Sequence, residues 1–79
     1  MNEPAEGPPP CVGQVWADND PRAEGRTVRI DRIEGRFVWA TVITDRPETL
    51  VSTVGRKTRI AIQRLKPTRS GYRLVSGGR

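Results

Sequence analysis

Residues 36–44 read Arg-Phe-Val-Trp-Ala-Thr-Val-Ile-Thr. So many β-branched and aromatic side chains in a row suit a pleated strand. Alternation puts Val38, Ala40 and Val42 on one face and Phe37, Trp39, Thr41 and Ile43 on the other. Both faces are partly apolar, which predicts a central strand. No segment of the chain sustains the 3.6-residue period of a helix, so its neighbours must be strands as well.

Those neighbours are short and separated by turn residues. A first strand is predicted over 12–17, followed by the ordered loop Asp18-Asn19-Asp20-Pro21-Arg22-Ala23-Glu24-Gly25, where Asn, Asp, Pro and Gly each favour a turn. The second strand is predicted over 26–33. Val28 and Ile30 face one way, and Thr27, Arg29 and Asp31 the other. Ile33 falls out of phase with Ile30, which predicts a bulge near Asp31 and Arg32. Glu34 and Gly35 form a tight hairpin turn into the central strand. A hairpin arm is expected over 49–54, and a fourth strand over 58–62 with Ile60 and Ile62 inward. One 3₁₀ turn is expected over 63–66, and a closing strand over 72–75.

The fold expected is therefore all-β: a small SH3-like five-stranded barrel with one 3₁₀ turn before the last strand. Trp16 is expected in its core. The domain runs over 12–75, between a disordered Pro-rich arm over 1–11 and a frayed tail over 76–79. With 79 residues, such a domain buries only about 60–65% of the surface its unfolded chain exposes, so its core is thin.

Charge is the next constraint. All nine acids lie before Thr49, beside six Arg, a balance of −3. The remainder carries eight positives and no acid, so the net +5 joins a negative part to a strongly positive one. Such asymmetry points to a polyanionic partner. Twelve of the fourteen cations are Arg, whose planar fork donates two parallel hydrogen bonds to a phosphate.

Several functional classes are excluded by what the chain lacks. There is no histidine, so neither a Cys/His zinc site nor a His-based nucleophile pair can form. Cys11 is the single cysteine, so no intramolecular disulfide exists. Asp18, Asp20 and Glu24 lack the spacing of a calcium loop. They read as turn residues, with Asp20 accepting backbone N–H groups or pairing with Arg22 or Arg26. No catalytic residue, metal or cofactor is expected. Mean hydropathy is −0.61, and no run approaches the roughly 18 apolar residues of a membrane span. The N-terminal stretch is acidic and Pro-rich, without the basic and apolar regions of a secretory signal, so a cytoplasmic location is expected.

Two resemblances accompany this reading. Gly13-Gln14-Val15-Trp16-Ala17-Asp18-Asn19-Asp20-Pro21-Arg22, with Gly25-Arg26, Arg64-Leu65-Lys66-Pro67-Thr68 and Gly71-Tyr72-Arg73-Leu74, resembles short actinobacterial and actinophage proteins of unknown function. It implies such a source and no activity. Gly13, Trp16, Asp20, Pro21, Arg26 and Thr44 also lie on a pattern similar to the SH3-like mRNA interferase toxins. That pattern implies RNA cleavage, but the loop here is shorter and Thr27 stands where the toxins have Pro.

The expected function is that of a small basic nucleic-acid-binding protein of low sequence specificity, non-enzymatic, on DNA or RNA, as a monomer or small homo-oligomer. Arg29, Arg56, Lys57, Arg59, Arg64, Lys66, Arg69 and Arg73 would hold phosphates, and Trp39 or Tyr72 would stack a base. One rival is a phage or host adaptor docking an acidic protein surface through the same cations. The other is a degenerate RNA-cleaving toxin using Arg26 and Thr44.

Overall fold

A computed structural model describes residues 9–23, 25–45 and 52–77 of the chain. The first eight residues of the expected arm, Glu24, part of the hairpin arm expected over 49–54, and the end of the expected tail lie outside them.

Five antiparallel strands form one sheet: β1 (Val15–Asp18), β2 (Thr27–Glu34), β3 (Phe37–Thr44), β4 (Lys57–Ala61) and β5 (Tyr72–Ser76). Their order across the sheet is β4-β3-β2-β1-β5. β3 lies between β2 and β4, as its two apolar faces require. Among the described residues no ladder joins β4 to β5, so the barrel stays open. The order, and a 3₁₀ turn at Ile62–Arg64 ahead of β5, fit a small SH3-like fold. A second 3₁₀ turn, Pro21–Ala23, sits inside the early loop, where Asp20 Oδ1 accepts the Arg22 N–H at 2.9 Å.

The β2–β3 hairpin turns at Gly35 and Arg36 rather than at Glu34 and Gly35, because Glu34 still pairs with Phe37. Gly35 has φ +61°, the left-handed conformation that tight hairpins demand of their first central residue. The register breaks between Ile30 and Arg32, where Asp31 is the extra residue. This bulge is the one implied by the phase of Ile33.

The inner face gathers Trp16, Val28, Ile30, Val38, Ala40, Val42, Ile60, Leu65 and Tyr72 into one core, with Ile62 and Leu74 packed against it. Trp16 is fully buried. Its indole N–H donates to Gln14 Oε1 at 3.1 Å. That oxygen also accepts the Cys11 N–H at 2.8 Å, and Gln14 Nε2 donates to the Pro9 carbonyl at 3.1 Å. Gln14 is buried and satisfied on both ends, so it fastens residues 9–11 to the core tryptophan. No helix among the described residues is long and apolar enough to cross a membrane.

Candidate functional site

Period-2 alternation carries the outer side chains of β2, β3 and β4 onto one surface, and the register sets their rows. Arg29, Thr41 and Lys57 lie opposite one another across the three strands. Arg32, Trp39 and Arg59 form the next row. Phe37 lies two residues before Trp39 on the same face of β3. The bulge explains why Arg32 belongs here: an extra residue at Asp31 restores Arg32 to the outer face opposite Trp39.

The contacts within these rows are specific. The Arg59 guanidinium carbon lies 4.4 Å from the Phe37 ring centroid, a cation–π pair of about 0.5–1 kcal/mol at an exposed site. The Trp39 indole N–H donates to Glu34 Oε1 at 3.0 Å, which fixes the ring. The other Glu34 oxygen lies 3.6 Å from Arg32 Nη2, an ion pair beyond hydrogen-bond reach.

Asp31 is the centre of the first row. It accepts Nε and Nη2 of Arg29, each at 3.3 Å, and the Thr41 hydroxyl. Lys57 Nζ lies 3.7 Å from it and donates to Thr41 Oγ1 at 3.2 Å. The Thr41 hydrogen bond, with the Arg29 and Lys57 charges adding to it, holds the Asp31 carboxyl below its ordinary value. The face thus carries Arg29, Arg32, Lys57 and Arg59 against Asp31 and Glu34, a surplus of two positive charges.

The structure therefore gathers four of the residues expected to bind: Arg29, Trp39, Lys57 and Arg59. Two members were not anticipated. Phe37 was legible as sharing a face with Trp39, whereas Arg32 needed the bulge to be carried through to its consequence. The remaining cations lie elsewhere. Arg56 is exposed in the turn before β4. Arg73 lies opposite Ala17 on β5, at the far edge of the sheet from β4. Arg69 is exposed in the loop before β5. Arg64 donates to the Ser70 carbonyl at 2.7 Å and lies 5.7 Å from the Tyr72 ring centroid. Tyr72 itself is a core residue, 5% exposed, and burial pushes its phenol pKa up. It offers no free ring for stacking. Among the described residues Arg56, Arg59, Lys66, Arg69 and Arg73 make no ion pair with a carboxylate.

A groove of about 600 Å³ opens beside Phe37, with Pro9, Pro10, Ile62 and Leu65 as its apolar lining and Arg36 and Lys66 at its border. It places Lys66 near the aromatic end of the outer face.

At the other end of β3 the Thr44 hydroxyl donates to the Gly25 carbonyl at 2.9 Å and lies 2.7 Å from Thr27 Oγ1. With its proton given to Gly25, Thr44 accepts from Thr27. Arg26 Nε is buried without a hydrogen-bond partner among the described residues. Asp20 pairs with Arg22 at 3.0 Å, which lowers the Asp20 pKa. Among the described residues no three His, Cys, Asp or Glu side chains are grouped to hold a metal ion.

Comparison of the chain with protein-family models, with curated proteins and with solved structures finds no match.

Proposed function

We propose that the chain is a nucleic-acid-binding protein, non-enzymatic and of low sequence specificity, whose contact surface is the outer face of β2, β3 and β4. The observation that carries this reading is the row Arg32–Trp39–Arg59, in which a tryptophan stands between two arginines in the strand register, with the Arg59 guanidinium lying over Phe37. Guanidinium forks neutralise phosphates, and the half-buried Trp39 ring and the more exposed Phe37 ring beside them offer a base a plane to lie on. The net charge of +5 supports association with a polyanion and makes it sensitive to salt.

A mobility-shift titration over a series of salt concentrations tests the reading. Four phosphate contacts, by Arg29, Arg32, Lys57 and Arg59, correspond to a slope of log K against log salt of about −3 to −4. Arg59→Ala is expected to reduce that slope by about one unit. An absence of binding at low salt, or binding indifferent to salt, removes the proposal. An adaptor that docks an acidic protein through the same cations would instead keep its partner after nuclease treatment.

A further inference from the structure

The outer face contains features that a duplex phosphate rail would leave unused or would oppose. Trp39 and Phe37 are two residues apart on one strand face, which spaces their attachment points by about 6.6–6.8 Å. That is about twice the 3.4 Å rise of bases stacked in a duplex strand. A nucleic acid that uses both positions must have unstacked bases. Asp31 and Glu34 also lie among the four cations, so a continuous line of phosphates crossing the face meets two carboxylates. Flat bases carry no charge to be repelled there.

The carboxylates differ in a way that bears on the sugar. Both Asp31 oxygens are already occupied, one by Arg29 and the other by Thr41 with Lys57 nearby. Glu34 spends one oxygen on the Trp39 indole, while its other oxygen has the Arg32 guanidinium 3.6 Å away as an ion-pair partner, accepts no hydrogen bond among the described residues, and belongs to a side chain that is 61% exposed. An open carboxylate oxygen beside a stacking ring calls for a donor. The ribose 2′-hydroxyl is a donor that RNA has and DNA lacks.

Resting on the nucleic-acid reading above, we infer that this face is a platform for single-stranded RNA. Trp39 takes one unstacked base and the Arg59–Phe37 pair takes its neighbour. Arg29, Arg32 and Lys57 hold the flanking phosphates, and the open oxygen of Glu34 receives a ribose hydroxyl. Arg59 serves as a stacking plane as well as a charge, since bases stack on guanidinium groups as they do on rings.

The test is fluorescence anisotropy with one short mixed sequence supplied as single-stranded RNA, single-stranded DNA and RNA duplex, at one salt concentration. The unaltered protein is expected to prefer single-stranded RNA to both. Trp39→Ala is expected to weaken single-strand binding about 5- to 150-fold, the equivalent of losing one stacked base, and to leave duplex binding unchanged. Trp39→Phe is expected to restore most of the loss. Equal, salt-dependent binding of single strand and duplex, unaffected by Trp39→Ala, overturns the platform and leaves the general nucleic-acid reading standing. Equal binding of RNA and DNA single strands overturns the assignment of Glu34 to a ribose hydroxyl. Binding to none of the three removes both readings. The comparison of strands needs only the unaltered protein, so it decides the matter even where Trp39→Ala fails to fold.

Discussion

Asp31 shows how much one residue does here. As the extra residue of the bulge it keeps Arg32 on the outer face, and its carboxylate ties Arg29, Thr41 and Lys57 together. The Thr41 hydroxyl and the two cations favour the charged form, so the folded pKa lies below the ordinary value of about 3.9. A carboxylate depressed in this way stabilises the fold above its unfolded pKa, and the contribution disappears as pH falls through the folded value. Thermal unfolding followed from neutral pH to about pH 2 is therefore expected to fall more steeply below pH ~4 in the native chain than in Asp31→Asn. Identical slopes would show that the carboxylate contributes nothing to folding. The role of Asp31 was legible in part: the phase slip of Ile33 exposes the bulge, but no sequence pattern reveals which oxygen meets which donor.

At the scale of elements, strands were easier to read than the connections that shape them. β3 and its central place follow from a two-faced apolar run, and β2 from alternation around Val28 and Ile30. Ile62 does pack against the core as expected, but it is half-buried and opens the 3₁₀ turn instead of ending the fourth strand. The turn begins at Ile62, one residue before the expected 63–66, because the strand stops at Ala61, the partner of Phe37. Tyr72 shows a similar limit. Next to Arg73 it reads as a surface ring, but it is the first inward residue of β5 and closes the core. The loop feeding β5 is packed tightly enough to test by itself. A Cβ at Gly71 would lie 2.3 Å from the Lys66 carbonyl oxygen and 2.9 Å from that of Arg64. Both are backbone atoms that cannot swing away. Gly71→Ala is expected to destabilise the domain by about 1–3 kcal/mol, read as a lower urea midpoint. An unchanged midpoint would mean that this loop is loosely held.

For the molecule as a whole, the charge asymmetry of the sequence was plain, but its distribution over the fold was not. Segregation along the chain suggested one cationic surface. Folding instead lays β4, from the acid-free part, against β3 and β2 of the acid-containing part, so Asp31 and Glu34 enter the face where Lys57 and Arg59 lie. Antiparallel pairing brings together residues far apart in sequence, which is why a count by halves does not yield a surface. Arg56, Arg64 and Arg69 lie in turns and loops outside the central rows, and Arg73 stands on β5 at the opposite edge of the sheet.

The open barrel predicts a second role for the cations on its edge strands, independent of any ligand. Among the described residues β4 and β5 each present an unsatisfied backbone rim, the kind of template on which a second chain can add a strand. Lys57 and Arg59 stand on one rim and Arg73 on the other, so like charges would face each other in any edge-to-edge pairing. Replacing all three with Ser is expected to raise light scattering at high protein concentration while the isolated fold remains intact by circular dichroism; a clear, monodisperse solution would contradict this. With its two margins unjoined among the described residues, the sheet is expected to depend on that lysine and those two arginines as gatekeepers against strand addition by another copy.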